Sequence, residues 1–370
     1  MTRFNLSENM PFVAVHAGEY IKVELESRGM TQKELATLTG IQTSILNDII
    51  RGRRNVTAEQ SVLIGKAMEI DDTFFYDMQK KYDMDCARIS KNVAEQLAAM
   101  KVWNVLKDMI SVKYFKKIGV LTSDIKKNIE AIFQIFNVKN LEEMFVLREQ
   151  EAQLVYYKKS EKLKTNIEDL FSWKYYSMFL SKKEKIDNVF NANNIDSLFT
   201  ELNSIFEENS KTVERTKKAC GKYGIKFVVS PKEGQVPVDG MSFVQDGTPT
   251  IVLTLRVDSI DNFAFSIMHE LGHIMLHLSD SEKVFVSIAD KEYDNKYEEE
   301  ANAFARDRLI PSDLWKRFQT QTRDVSPYKI APYISDFAKK INVNPQIILG
   351  RFTYETRNYR MRTKFEKIIN

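Results

Sequence analysis

The amino-acid sequence predicts a mainly α-helical protein whose C-terminal part is α+β. Three observations predict it. Residues 12–82 break into five short segments with apolar faces, separated by helix caps and glycines. Residues 83–220 are rich in Lys and Glu, carry apolar side chains at helical spacing and contain no proline. From 221 the pattern shifts to short β-branched runs around a turn signal, then returns to helical spacing. The expected segments are therefore 12–82, a helical connector 83–220, a compact domain 221–352 and a basic tail 353–370.

Composition narrows the function classes. A chain of 370 residues can bury sizeable cores without disulfide or metal staples. Lys+Arg of 54 against Asp+Glu of 51 gives a net charge of +3, so only a local patch can argue for nucleic acid. Two cysteines, Cys86 and Cys220, exclude a disulfide framework and a four-cysteine zinc site. Residues 1–10 lack a signal-peptide shape, and no apolar run approaches the roughly 20 residues of a membrane span. A cytoplasmic protein without a membrane partner is expected. Of four histidines, three, His269, His273 and His277, crowd into one short segment.

The elements follow in order. A first helix over 19–28 has Ile21, Val23 and Leu25 as its apolar residues and stops at Gly29. Thr31 and Glu34 form a capping box for a second, with Leu35, Ala36 and Leu38. Gly40 ends it, and a third helix covers 42–50 up to Gly52. A fourth, opened at Thr57, contains Leu63, Ile64, Ala67 and Met68; a fifth begins at Asp71 or Asp72. The connector shows helical spacing at Val93, Leu97 and Met100, and again at Ile129, Ile132 and Phe133. It holds no cluster of catalytic residue types, so its helices read as structural. Runs at 241–245 and 250–255 flank Asp246-Gly247, a hairpin signal, and Pro249 places the start of the second run at an edge or entry position. That run is either an edge strand open to an extended substrate backbone or an ordinary core strand. Asp258 or Asp261 is expected to cap a helix reaching Leu278, and another covers 297–309 before Pro311.

His269-Glu-Leu-Gly-His273 is an H-E-x-x-H motif. Residues i and i+4 lie about 40° apart on a helix and one turn apart, so both imidazoles can reach one ion. Glu270, about 100° round, can face a metal-bound water without ligating the metal. Phe263, Ala264, Ile267, Met268, Leu271 and Ile274 make this helix apolar nearly all round, hence buried. Burying two histidines and a carboxylate without a partner would be costly. His277 lies about 12 Å along the axis from His269, too far for the same ion, and reads as structural or supporting. The third ligand is sought on the following helix. Glu298 lies about 60° from the centre of the apolar stripe of Tyr297, Ala301, Phe304, Ala305 and Leu309, whereas Glu299 and Glu300 point further out and read as solvated charge. Asn302 can hydrogen-bond a ligating histidine. The expected centre is one Zn2+ per chain on His269, His273 and Glu298, the two-histidine, one-glutamate site of a gluzincin, with Glu270 as general base.

At the other end, 32–50 fits a helix-turn-helix. Ile41, Leu46 and Ile49 pack the second helix and leave Thr43, Ser44 and Asn47 outward, where base edges are read. Arg51, Arg53 and Arg54 suit phosphates, and Gln32 can add another phosphate contact.

Residues 18–82 resemble HigA-like antitoxins of the XRE helix-turn-helix family, through Gly18-Glu-Tyr-Ile-Lys22, Arg51-Gly-Arg-Arg-Asn-Val-Thr57, Phe74-Phe75 and Tyr82. Residues 221–352 resemble the ImmA/IrrE metallopeptidase family. The marks are Asp239-Gly240, Ile251-Val-Leu-Thr254, Asp261-Asn-Phe263, His269-Glu-Leu-Gly-His273, Glu298-x-Glu-Ala-Asn302, Phe304-Ala305, Leu309-Ile-Pro311 and Ile347-Ile-Leu-Gly-Arg351. The resemblance implies a zinc endopeptidase fused to an operator-binding domain. It also implies ligands His269, His273 and Glu298, and cleavage of a repressor or similar regulator. Because such domains read paired half-sites, a homodimer on double-stranded operator DNA is expected. A different class stays open: a HigA-like repressor or antitoxin whose zinc domain is a sensor or docking fold without protease activity.

Overall fold

The computed structural model describes residues 13–157, 167–232, 238–278, 284–288, 296–359, 361 and 363–370. The N-terminal stretch read above for a signal peptide, and residue 12, lie outside them. The protein is mostly helical, with one small mixed sheet in its C-terminal part. The chain divides into two compact units, 1–104 and 105–370.

In the first unit α1 (Ala17–Arg28), α2 (Gln32–Thr39), α3 (Thr43–Ile50), α4 (Ala58–Ala67) and α5 (Phe74–Ile89) enclose Ile21, Leu35, Leu46, Ile49, Ile64 and Phe75. These are the five helices expected. Helix α1 starts two residues early because the His16 ring accepts the Gly18 N–H and caps it. The Thr31–Glu34 capping box forms as read, and Gly40, at φ 69°, takes the left-handed turn before α3. Helix α5 starts later than Asp71, whose carboxylate instead closes a local turn by accepting from the Thr73 N–H and hydroxyl. Leu38 and Val23, placed on apolar faces by spacing, are exposed. Helix α6 (Lys91–Leu106) follows, with Val93, Leu97 and Met100 exposed.

The second unit opens with α7 (Val112–Lys117), α8 (Ile125–Phe136), α9 (Leu141–Tyr157), α10 (Ile167–Lys183), α11 (Ile195–Glu208) and α12 (Thr212–Lys222). Strands β1 (Lys226–Val229), β2 (Val238–Gln245), β3 (Thr248–Leu253) and β4 (Val284–Ile288) form a sheet in the order β1-β3-β2-β4. β1 and β3 are parallel; β2 is antiparallel to β3 and to β4. The β2–β3 hairpin turns on Asp246 and Gly247, both at positive φ (51° and 74°), the geometry that an Asp-Gly pair favours. β3 lies inside the sheet, so the core-strand reading of 250–255 holds and the open-edge reading does not. Pro249 is tolerated there because it sits second in its strand.

Helices α13 (Ile260–His277), α14 (Lys296–Leu309), α15 (Ser312–Thr322), α16 (Ala331–Ile341) and α17 (Pro345–Thr356) complete the unit. The cap of α13 is Ser259, with Asp261 in its first turn. One core joins Leu198, Leu202 and Phe206 of α11 to Phe227, Ile251, Phe263, Ile267, Leu309, Phe318 and Ile348. Much of the expected connector is thus built into this unit. Helix α10 shows how, through a buried face of serines. Ser177 donates to Ser230 at 2.7 Å beside β1, and Ser181 to Gln245 at 2.6 Å at the end of β2. Nor is the C-terminal segment a loose tail. The Lys367 carbonyl accepts the first N–H of α13 from Ile260 at 3.0 Å, and Phe365 and Ile369 pack on the core.

Candidate metal centre

Helix α13 carries the histidines and α14 crosses it closely. The crossing depends on small residues. A Cβ on Gly272 would lie 3.2 Å from both the Ala301 Cα and the Phe304 ring, a tight contact that the bare glycine backbone avoids. That approach brings Glu298 to the histidines. Its carboxylate oxygens lie 3.2 Å from His269 Nε2 and 3.5 Å from His273 Nε2. The two Nε2 atoms are 3.1 Å apart. Ligand atoms of all three residues fall within 4.8 Å of one another.

This donor set fits a zinc ion. Two nitrogens each about 2.0 Å from one tetrahedral ion are roughly 3.3 Å apart, close to the spacing seen. His269 and His273 turn their Nε2 atoms toward each other and toward a carboxylate, in a pocket where they are 5% and 0% exposed. Burial by itself would push Glu298 up, but the neighbouring His269 and His273 imidazoles outweigh it and lower the carboxyl to about 2. The site therefore presents a carboxylate, as a cation requires.

The far nitrogens are also engaged. His269 Nδ1 lies 3.0 Å from Asn302 Oδ1. His273 Nδ1 lies 3.0 Å from His277 Nδ1, and His277 Nε2 lies 3.0 Å from Glu300 Oε2. Glu300 is thus a partner of the histidine row, which corrects its reading as free surface charge. Glu299 is exposed, as read. The wheel angle misplaced Glu300 because it treats one helix alone, and the α13–α14 crossing brings this flank of α14 over the end of the row.

Glu270 is 1% exposed and is not one of the three grouped donors. Ser287 of β4 donates to its Oε1 at 2.6 Å, and Oε2 is buried without a hydrogen-bond partner among the described residues. Burial pushes its carboxyl above the usual range, offset in part by His269 and His273. Gly240 makes room for it: a Cβ there would sit 2.6 Å from Glu270 Oε1. On the same strand as Ser287, Phe285 stacks on the His273 ring at 4.4 Å. Strand β4, Ser287 and the role of Gly240 escaped the sequence reading. The only signals were the alternation of 284–288 and the Asp239-Gly240 pair.

Other motif residues hold the domain rather than the site. Arg351 donates to the carbonyls of Ile310 and Arg306, at 2.9 and 3.1 Å, and Gln346 donates to Asp261 at 3.4 Å.

On the first unit, Thr43 and Ser44 are exposed in the first turn of α3, and Asn47 is half-buried one turn on. Arg51, Arg53 and Arg54 are exposed in the turn that follows. The N–H groups of Arg53 and Arg54 donate to the Asp48 carbonyl, at 2.8 and 3.2 Å, which shapes that turn. Gln32 is the first residue of α2 and half-buried.

Comparison with known proteins defines the class of each region. Residues 21–75 match the helix-turn-helix family and residues 220–352 the IrrE N-terminal-like domain family. The chain thus carries an XRE-type helix-turn-helix domain and an IrrE/ImmA-like domain of the metallopeptidase type. Among solved structures, an addiction module antidote protein of the HigA family from Coxiella burnetii is 26% identical. The alignment covers 23% of this chain and 91% of that one, with a TM-score of 0.22. The Pseudomonas aeruginosa antitoxin HigA, solved with the higBA promoter, is 22% identical over 23% of this chain and 91% of its own, also at 0.22. No curated protein matches the chain.

Proposed function

We propose that this protein is a DNA-binding regulatory zinc metalloendopeptidase. The observation that carries the reading is the meeting of His269, His273 and Glu298 beside the buried carboxylate of Glu270, inside an IrrE-like domain. His269 and His273 would hold the metal through Nε2 and Glu298 through its carboxylate. A zinc ion bound there supplies Lewis-acid activation of a water and of the scissile carbonyl. The chain's own groups do the rest. Glu270, fixed through Oε1 by Ser287, keeps Oε2 free to take the water's proton and to pass it to the leaving amine. Asn302 holds His269 in the tautomer whose Nε2 lone pair faces the centre.

The helix-turn-helix supports a role on double-stranded operator DNA as a homodimer. Thr43, Ser44 and Asn47 would face base edges; Gln32, Arg51, Arg53 and Arg54 would meet phosphates. The protein substrate would be a repressor or comparable regulator. The test is metal analysis followed by cleavage assays. We expect about one zinc per chain in the wild type and much less in Glu298→Ala. Glu270→Gln should keep its zinc and lose cleavage. Undiminished proteolysis by Glu270→Gln would remove Glu270 as the base, and a wild type that stays metal-free in excess zinc would sink the enzyme reading.

A further inference from the structure

Beyond the three donors, the third histidine of the segment has a task that spacing alone does not reveal. His277 is too far along α13 to share an ion with His269, yet its ring reaches the back of His273. We propose that His277 and Glu300 form a positioning relay that fixes the tautomer and orientation of His273 and so sets its strength as a metal ligand. The inference rests on the metal-site reading given above.

The proton count leads there. If His273 Nε2 presents a lone pair to the centre, its single ring proton is on Nδ1. That proton points at His277 Nδ1, 3.0 Å away, which must then accept. A neutral His277 accepting at Nδ1 carries its own proton on Nε2, which faces Glu300 Oε2 at 3.0 Å. Every donor in the row then meets an acceptor, and the row ends on a carboxylate. Reversing the direction would place a proton on His273 Nε2, 3.1 Å from His269 Nε2 and 3.5 Å from Glu298, and would close the centre to a cation.

Packing holds the row in line. Phe285 stacks on His273 at 4.4 Å, and Tyr297 meets the His277 ring edge-on at 4.9 Å. Lys296 Nζ lies 3.6 Å from the other Glu300 oxygen. The two ligating histidines are therefore supported differently. His269 leans on a neutral amide, whereas His273 leans on an imidazole polarised by a carboxylate. A histidine that donates toward negative charge is the more basic ligand.

The readout is zinc affinity, measured by competition with a chromophoric chelator on the full chain. His277→Phe keeps an aromatic ring against Phe285 and Tyr297 but cannot accept. We expect zinc binding about 10–100-fold weaker in this variant, as loss of such a supporting partner typically produces. His277→Gln, whose amide oxygen can accept from His273, should recover part of the loss. Glu300→Ala, at the half-exposed end of the row, should weaken binding several-fold without endangering the fold. With only four histidines in the chain, 15N-histidine labelling also reads the tautomers directly. His273 should be protonated at Nδ1 and His277 at Nε2 in the zinc-loaded protein. Wild-type affinity in both His277→Phe and Glu300→Ala, or a His273 without a proton on Nδ1, would overturn the relay while leaving the metal site standing. A wild type that binds no zinc would overturn the metal site and the relay together.

Discussion

Glu270 and Glu298 are both carboxylates, 28 positions apart in the chain, and their surroundings give them different work. Glu298 faces two imidazole nitrogens, which hold it ionised. Glu270 is fully buried and accepts from the Ser287 hydroxyl, and burial raises its proton affinity, offset in part by His269 and His273. The first environment suits the ligand proposed above and the second the proposed general base. Ser287 is the residue through which this distinction can be tested. Ser287→Ala leaves all three donors in place but frees the Glu270 side chain. Turnover is expected to fall on the order of tenfold, with zinc content unchanged. Equal loss of zinc and activity would show that Ser287 supports the fold rather than the base. Neither Ser287 nor Glu300 was legible in the sequence. Glu300 stands within the Glu298-x-Glu-Ala-Asn302 mark, but nothing local ties it to His277 or ties Ser287 to Glu270, partners 23 and 17 residues away.

At the scale of elements, the α13–α14 crossing decides whether a third donor exists. Gly272→Val would drive a branched side chain into Ala301 and Phe304, already 3.2 Å from a bare Cβ. Overpacking of this kind costs about 1–3 kcal/mol and here also pushes Glu298 away. A lower unfolding midpoint is expected together with weaker zinc binding, by calorimetry and chelator competition. If zinc affinity survives a measurable drop in stability, α14 tolerates a wider crossing than argued. The helix-turn-helix allows an independent test. Arg53→Ala with Arg54→Ala should weaken DNA binding on every sequence. Its log–log salt slope should flatten by about 0.9 for each lost phosphate contact. Unchanged affinity across salt would remove this turn from the DNA-facing surface. At this scale the sequence was largely readable. The Thr31–Glu34 capping box, the turn at Gly40 and the Asp246-Gly247 turn are local signals, and each element they bound formed within a few residues of its expected place.

For the whole molecule, the informative segment is the C-terminal one. Asn209 donates its side-chain amide to the Ile368 carbonyl at 2.9 Å, and the Ile260 N–H donates to Lys367. Deleting 363–370 would leave those donors to solvent and uncover apolar surface of the core beneath Phe365 and Ile369. A loss on the order of 2–4 kcal/mol is expected, seen as a fall of several degrees in the unfolding midpoint of the second unit. An unchanged midpoint would return this segment to the status of a tail.

What the sequence determined by itself is whatever depends on neighbours one or two turns away. It set the row of histidines on one helix, the proposed general base Glu270 within that row, the helix-turn-helix with its basic turn, and the Asp246-Gly247 hairpin. Helical and strand periods are local, so a helix whose face is apolar all round declares its own burial. The juxtaposition of Glu298 with the histidines was also within reach, because an apolar stripe on α14 says which side meets α13. The tertiary structure decided the rest. It placed β3 inside the sheet, supplied β4 and Ser287, merged most of the connector with the C-terminal unit, docked the last residues and joined Glu300 to His277. Each of these depends on which surfaces meet after distant segments pack, and no residue pattern along one segment records the partner it will find.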